Sequence, residues 1–261
     1  MSDDPRAELA SIAASLRAYL EWQGETGTAG FPRRKAGPTS TSTSTSTSTS
    51  TSTSTSTSTS TSTSTDKDVR LPVLAQEVAA CTRCGLAATR TKTVFSRGSA
   101  DARVCFVGEA PGAEEDAQGL PFVGRAGQLL DRMIAAMGLD PARDVYVCNI
   151  LKCRPPGNRR PEPEEMEACL PYLNEQLALL RPRVIVALGN TAVSGLLETK
   201  LGITKLRGQW KLYRGVLVMP TYHPSYLLRP GPQQAEAKRQ AWEDLQQVMK
   251  ELGLEVPPRR G

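Results

Sequence analysis

Long apolar runs are missing from the 261-residue sequence, and no stretch of 18 consecutive apolar residues argues for a membrane-spanning helix. The opening residues, MSDDPRAELA, also lack the basic and then apolar order of a secretory signal peptide. We therefore expect a cytoplasmic protein. Because thiols stay reduced in that compartment, the six cysteines are expected to be ligands or core residues rather than disulfides.

Histidine is almost absent, since His223 is the only one in the chain. It follows the apolar run VLVMPTY and precedes a Pro-Ser pair, so a strand is expected to deliver it into a turn. The glycine-bearing loop that begins at Gly108 carries neither a G-x-G-x-x-G pattern nor a P-loop G-K-[ST]. That loop is acidic, which suits a neutral polar ligand or the activation of water better than a phosphate.

Charge and composition permit a folded domain with an anionic partner. Hydrophobic residues make up 39% of the 28.2 kDa chain, enough for at least one sizeable core. The net charge is +5 and the sequence pI is about 8.9. Many ordinary enzymes are this basic, so charge favours nucleic-acid binding only modestly.

Three segments differ in composition. Residues 1–30 contain apolar residues at helical spacing and predict an N-terminal helix, which either docks on the main domain or binds another protein, such as a replication or repair factor. Residues 31–66 include a strict Thr-Ser repeat from Thr39 to Thr65, which has nothing apolar to bury and predicts a disordered linker. Residues 67–256 are expected to form the main domain.

The main domain alternates apolar runs with helical stretches. The runs are RVCFVGE (103–109), VYVCNIL (145–151), RVIVALG (183–189) and VLVMPTY (216–222), and each predicts a buried strand. This alternation predicts an α/β fold: a three-layer sandwich with a central, mainly parallel four-stranded sheet. Ligands bind beyond the carboxyl ends of such strands. The polar residues at those ends are therefore expected to converge on one pocket: Glu109, Asn149, Asn190 and His223.

The cysteines divide into two classes. Cys105 and Cys148 lie inside apolar strands and are expected to be core residues. The other four comprise the C-x₂-C pair and two cysteines of a distant segment, a set that suits either Zn²⁺ or an iron–sulfur cluster: Cys81, Cys84, Cys153 and Cys169. Spacing alone leaves that choice open. The site is expected to be structural.

Four motifs, in order along the chain, resemble one family. GEAPGAEEDAQGLPFVGRAGQLLD, NILKCRPPGNRRPEPEE, ALGNTA and HPSYLLR are similar to segments of the family 4 uracil-DNA glycosylases, and the resemblance runs from about Val69 to Leu252. It implies an enzyme that flips deoxyuridine out of DNA and hydrolyses its N-glycosidic bond, which releases uracil and leaves an abasic site. It also implies a [4Fe–4S] cluster on the four cysteines, with structural zinc as the alternative.

The resemblance assigns roles in a uracil pocket. Phe122 stacks on the base, Asn149 pairs with the N3–H and O4 edge that cytosine reverses, and His223 donates to O2 as negative charge develops there. Glu109 is expected to orient water or to stabilise the cationic sugar. The full set implied to bind uracil is Gly108, Glu109, Ala110, Glu115, Phe122, Asn149 and His223.

Two positions depart from the family pattern. Better-known members have an aspartate where this chain has Ala110, and Gly112 replaces an aromatic residue that blocks thymine. By resemblance, Glu115 crowds the 5-methyl group instead. Glu114 and Asp116 are interpreted as a solvated acidic turn.

Further residues are expected to handle DNA. Ser225 and Arg229 contact the backbone, Leu227 acts as the wedge that fills the gap left by the flipped base, and Leu228 packs on the core. Arg159 and Arg160 are offered to phosphates, with a solvated charge pair as the alternative.

Two other functions remain possible readings of the same sequence. One is a covalent or non-catalytic uracil-DNA binder, although the segment between Cys153 and Cys169 holds no histidine that could form a covalent bond. The other is a zinc-containing nucleic-acid-binding module. The expected partner is uracil-containing DNA, double- or single-stranded, and the protein is expected to be a nucleoid-associated monomer.

Overall fold

The computed structural model describes residues 63–256. The predicted N-terminal helix and all but the last four residues of the predicted linker lie outside these residues. The first described helix begins at Thr63, four residues before the predicted start of the main domain. No helix in the described range is both long and apolar enough to cross a membrane.

The described residues form eight α-helices and six strands. The helices are α1 Thr63–Ala79, α2 Ala113–Gln118, α3 Arg125–Ala136, α4 Pro163–Leu180, α5 Gly189–Leu197, α6 Ile203–Leu206, α7 Pro224–Leu227 and α8 Gln234–Leu252. The strands are β1 Arg97–Gly98, β2 Val104–Gly108, β3 Val145–Asn149, β4 Val184–Leu188, β5 Lys211–Tyr213 and β6 Val216–Thr221. Short 3₁₀ turns occupy Gly85–Ala88 and Pro156–Asn158.

The strands form one sheet in the order β1-β3-β2-β4-β6-β5. The inner strands β3, β2, β4 and β6 are parallel, and they coincide with the four predicted apolar runs. The prediction of four strands was wrong in number, because β1 and β5 add antiparallel edges. These edge strands are two and three residues long, and none of their residues is buried. The sequence therefore contains no apolar run from which they could be predicted.

Helices cover both faces of the sheet, which gives the predicted three layers. On one face, Cys105 and Val107 of β2 belong to a core with Leu173 of α4 and Val193 of α5. On the other face, Phe106 belongs to a core with residues of α3 and α8: Leu130, Ile134, Leu245 and Val248. Every residue of β2, β3 and β4 is buried, and burial on both faces explains why these strands are mostly apolar.

Helix α1 packs on α4 through a smaller cluster of Leu74, Val78 and Tyr172. This contact brings the end of α1, and Cys81 just beyond it, next to Cys169 on α4. The fold therefore sets up two sites: one beyond the carboxyl ends of the strands, and one between α1 and α4.

Candidate active site

Three of the four predicted strand-end residues line one cavity of about 380 Å³, within the usual ~300–1,000 Å³ of small-molecule sites. Glu109 follows β2, Asn149 ends β3, and His223 follows β6. Backbone bonds extend the β2–β3 pairing past these residues: Ile150 N donates to Gly108 O and Leu151 N to Glu109 O, each at 3.0 Å. The cavity floor is thus a continuation of the sheet.

Asn149 presents an unpaired acceptor. The residue is 1% exposed, and its Oδ1 is a buried atom with no hydrogen-bond partner among the described residues. Gly108 lies opposite in register on β2. A Cβ on Gly108 would collide with Asn149 Oδ1 and lie 2.5 Å from Phe122 Cζ, so glycine leaves the room that both side chains need. An unsatisfied buried amide oxygen calls for an N–H donor from a ligand.

Phe122 forms a wall of the same cavity. Its φ of 55° is in the left-handed region, which is uncommon for an aromatic residue. A Cβ on Gly127 would collide with the Phe122 carbonyl, so close packing against the first turns of α3 holds this backbone. The Phe122 and His223 rings are stacked, with centroids 5.6 Å apart and planes inclined by 29°. The two rings offer a flat ligand an aromatic surface.

His223 is held as a neutral side chain of one tautomer. Its Nδ1 accepts a bond from Ser225 N at 3.1 Å and lies 2.8 Å from Ser225 Oγ. Because Nδ1 is an acceptor, the ring proton lies on Nε2, which leaves an N–H donor. Burial lowers the pKa of His223 from 6.5 to about 4, while the charge of Glu115 opposes this change.

Glu109 is oriented by a residue to which the sequence analysis gave no role. Thr191 Oγ1 donates to Glu109 Oε2 at 2.5 Å, and Thr191 is buried in the first turn of α5. The motif ALGNTA contains this threonine, but only the fold places it beside the strand end of β2. The bond aims one carboxylate oxygen at α5 and leaves the other for the cavity.

Asn190 does not join the pocket, and its predicted convergence was wrong. It is exposed, and its Oδ1 accepts from Ile203 N at 2.8 Å. Helix α5 begins at Gly189, directly after β4, so Asn190 already belongs to a helical turn and faces outward. Its neighbour Thr191 faces inward instead.

Glu115 organises the loop after β2. Its Oε2 accepts from Gly112 N at 3.1 Å, and its Oε1 accepts from Val123 N and Gly124 N at 3.0 and 2.9 Å. Glu115 lines the cavity together with Ala110 and Gly112. The three backbone amides therefore hold the carboxylate in place, and these hydrogen bonds also tie together the two ends of the loop that lines the cavity.

The interpretation of Asp116 as a solvated residue was wrong, whereas Glu114 is exposed as expected. Asp116 is buried, and its carboxylate accepts from Thr91 N at 3.0 and 3.1 Å and from Lys92 N at 3.4 Å. These donors precede it by 24 and 25 residues, so the local acidic run gave no sign of them.

The residues predicted to contact DNA are exposed, with one exception. Ser225 and Arg159 line the cavity, and Arg160 and Arg229 are exposed. Arg159 forms a two-pronged ion pair with Glu165, at 2.9 and 2.6 Å, so it is anchored. The Arg229 guanidinium lies 5.8 Å from the centre of the Tyr226 ring.

The exception is Leu227, for which the predicted exposure was wrong. It is 2% exposed and belongs to a cluster with Tyr222, Ala237 and Ala241. Leu228, predicted to pack on the core, is only partly buried. A helix of four residues has no periodicity from which its buried side could be read, and the packing of α7 against α8 decides it.

Four cysteines line a second cavity, between α1, the segment after β3 and α4: Cys81, Cys84, Cys153 and Cys169. Cys153 Sγ accepts from Arg90 Nη1 at 3.2 Å, and Cys169 Sγ from Lys152 N at 3.3 Å. Burial raises the pKa of Cys153, and raises that of Cys169 to about 11. Cys105 and Cys148 are buried in β2 and β3, as predicted.

The four thiols line the same cavity. Across residues 63–256, no group of three or more His, Cys, Asp or Glu side chains is arranged to hold one metal ion. A tetrahedral zinc site would place its sulfurs about 3.8 Å apart, given Zn–S bonds of about 2.3 Å. A cluster with four irons spaces its sulfur ligands more widely. Four cysteine thiolates are ligands that either kind of site accepts.

Comparison with known proteins gives a consistent result. The family model described as "Uracil DNA glycosylase superfamily" matches residues 95–246. The type-4 uracil-DNA glycosylase of Thermotoga maritima is 46% identical over 182 residues, which cover 68% of this chain and 92% of that protein. That of Saccharolobus solfataricus is 43% identical over 171 residues, 62% of this chain and 79% of that protein. A type-5 enzyme of Pyrobaculum aerophilum is 37% identical over 147 residues, 50% and 64% of the two chains.

Proposed function

Because the chain belongs to the type-4 branch of the uracil-DNA glycosylase superfamily, we propose that it repairs DNA by hydrolysing the N-glycosidic bond of deoxyuridine, releasing uracil and leaving an abasic site. The observation that carries this proposal is the unpaired Oδ1 of Asn149, buried in a cavity whose walls are Phe122 and His223. The cavity can hold a base only after the nucleotide has flipped out of the helix.

Asn149 selects uracil by its edge. Its Oδ1 accepts from N3–H and its amide N–H donates to O4. Cytosine presents an acceptor and a donor at those two positions, so binding it would oppose like groups and leave the buried Oδ1 unpaired. A mismatch of this kind is costly because the Asn149 side chain is buried. Phe122 supplies the stacking face.

His223 stabilises the leaving uracil. As the glycosidic bond breaks, negative charge develops on uracil O2, and the Nε2–H of a neutral imidazole donates to it. Ser225 fixes the tautomer from the other side of the ring. The depressed pKa means that the imidazole needs no protonation change over the neutral range. The histidine acts as an oriented hydrogen-bond donor.

Glu109 acts on the sugar side of the bond. We assign to its free carboxylate oxygen the orientation of the attacking water and the stabilisation of positive charge on the sugar. Thr191 holds the other oxygen. This arrangement compensates for Ala110, which offers no carboxylate of its own.

Glu115 is assigned to the wall that faces the 5-position of the base. The three hydrogen bonds that its carboxylate accepts from backbone amides make it a rigid part of the loop. We propose that this rigidity, together with the carboxylate itself, excludes the 5-methyl group of thymine. Gly108 and Ala110 complete the base-binding surface.

DNA phosphates are held around the mouth. Arg160 directly follows the cavity residue Arg159, and Arg229 lies four residues after the cavity residue Ser225. Both guanidinium groups are exposed, and Ser225 contributes a hydroxyl. Arg159 serves through its contact with the cavity rather than as a free cation, because Glu165 pairs with it. One chain supplies every residue of the site, which supports action as a monomer, and a DNA substrate implies a location at the nucleoid.

We propose that the four cysteines hold a [4Fe–4S] cluster. Their shared cavity, the N–H donors from Arg90 and Lys152 toward two of the sulfurs, and the resemblance to the family 4 enzymes support this choice over zinc. When bound, the cluster supplies a structural link. The cysteines tie the end of α1 and the segment after β3 to α4. Iron content and absorbance near about 400 nm distinguish a cluster from zinc.

The decisive assay is release of free uracil from an oligonucleotide with a single deoxyuridine. Wild type is expected to release uracil, and His223→Ala and Asn149→Ala are expected to release it far more slowly. The assignment would be refuted if wild type left the oligonucleotide intact, or if both variants released uracil as fast as wild type. A protein–DNA adduct that survives denaturation, in place of free uracil, would instead indicate a covalent binder.

A further inference from the structure

Lys152 is a buried lysine between the two sites. It is 1% exposed, and its Nζ donates to the backbone carbonyl of Asn149 at 2.8 Å. The ammonium also lies 5.9 Å from the centre of the Phe95 ring. Burying a lysine is costly unless its charge is compensated. The position of Lys152 therefore has to be explained by what its charge contacts.

The same residue is tied to the cysteine cavity through its backbone. Its N–H donates to Cys169 Sγ at 3.3 Å, and its carbonyl accepts from Val94 N at 2.8 Å. Lys152 also lines the cavity that the cysteines share. Lys152 also directly precedes Cys153 in the chain. One residue thus connects the thiols with the base-reading asparagine.

Asn149 needs such support. Its Oδ1 has no partner in the described structure, so no hydrogen bond of its own orients that oxygen. The Lys152 ammonium instead fixes the Asn149 carbonyl, at the last residue of β3. A displaced backbone at this point would displace the amide from the uracil edge.

We propose that Lys152 is a positioning residue. It holds the Asn149 amide in line with the uracil edge, and it couples the backbone position of Asn149 to the packing around the cysteines. This inference rests on the proposed function and deepens it. A merely structural lysine would affect folding and cofactor content. A positioning lysine affects uracil recognition while the folded protein and its DNA affinity stay intact.

The test uses the purified full-length protein with its cofactor and the variant Lys152→Met, which keeps the length of the side chain and removes the charge. Three quantities are measured: single-turnover uracil release, inhibition by free uracil, and affinity for DNA with an abasic site. We expect release and uracil inhibition each to weaken by about tenfold or more, the effect of losing a hydrogen bond to a charged group. Abasic-site affinity and absorbance near about 400 nm should be unchanged.

Lys67→Met is the matched control. Lys67 is also largely buried, donates to the Ala100 carbonyl at 3.3 Å and pairs with Asp101, but it lies in α1, outside the cavity that holds Asn149. It should behave as wild type in all three measurements. Asn149→Ala and the double variant complete a cycle: if Lys152 acts through the Asn149 side chain, adding Lys152→Met to Asn149→Ala should cost nothing further.

The outcomes separate the two proposals. If wild type releases no uracil, the proposed function fails. If wild type releases uracil and Lys152→Met shows wild-type inhibition by free uracil, or if the double variant shows fully additive losses, the positioning role is overturned. Loss of absorbance in parallel with uracil inhibition also overturns it.

Lys152→Arg decides the question if Lys152→Met does not fold. It keeps the charge, but the planar guanidinium donates from a different point. Weakened uracil inhibition with normal abasic-site affinity then supports positioning, and wild-type inhibition contradicts it.

Discussion

The imidazole of His223 is expected to titrate near pH 4, because burial favours its neutral form. Since it is the only histidine, a protein labelled at histidine Cε1 should give a single NMR signal whose shift changes around pH 4. The ordinary pKa is 6.5. At ~1.4 kcal/mol per pKa unit, the change in pKa from 6.5 to about 4 alters the free energy of unfolding by at most about 3 kcal/mol between high and low pH.

The sign of the effect on stability follows from which state binds the proton. Between pH 6.5 and 4 the unfolded chain binds a proton at His223 and the folded protein does not, so the free energy of unfolding falls as the pH is lowered through this range. The contribution is complete above pH 6.5. Carboxylates titrate in the same window, so the quantity to measure is the difference between wild type and His223→Gln in urea denaturation. Wild type should lose stability relative to the variant on going from pH 7 to pH 4.

A signal that titrates between pH 6 and 7 would refute the reasoning, as would a difference between wild type and His223→Gln that does not depend on pH. The first result would mean that the ring is solvated. It would also weaken the assignment of a neutral Nε2–H donor to catalysis, because an imidazolium would then form over the working range.

Three further predictions concern other parts of the site. Thr191→Val should slow uracil release by about 10- to 100-fold, since Glu109 loses its donor, while Thr191→Ser keeps the hydroxyl and most of the rate. Arg160→Ala and Arg229→Ala should each weaken DNA binding and reduce the salt dependence by about one unit of slope, measured by fluorescence anisotropy at several salt concentrations. Cys153→Ser should abolish absorbance near about 400 nm and lower Tm by about 5 °C or more, measured by calorimetry.

The inner sheet could be predicted from the sequence because strands that are buried on both faces are mostly apolar. Each of the four apolar runs contains a parallel strand. Strands β1 and β5 could not be predicted in this way, because neither buries a residue. Their pairing depends on the neighbouring strand rather than on their own composition.

The site was predictable at three of the four strand ends, Asn190 being the exception, and unpredictable where a distant segment decides a residue's environment. Glu109, Asn149 and His223 meet because parallel strands end at one edge of the sheet. The burial of Asp116, by contrast, depends on amides 24 and 25 residues earlier. That of Leu227 depends on helix α8, whose nearest contact residue is ten positions further along the chain.

The pocket concentrates features that cost stability in the free protein. The Asn149 Oδ1 is buried without a partner, Phe122 has a left-handed backbone, and His223 is desolvated. An unsatisfied buried acceptor alone costs about 1–3 kcal/mol. In the function that we propose, uracil relieves the first of these costs by donating N3–H, while Phe122 serves as a stacking wall and His223 as an oriented donor. Binding of uracil therefore gains the free energy that the unpaired Asn149 oxygen costs in the free protein. Cytosine has no N3–H, so its binding does not gain this free energy.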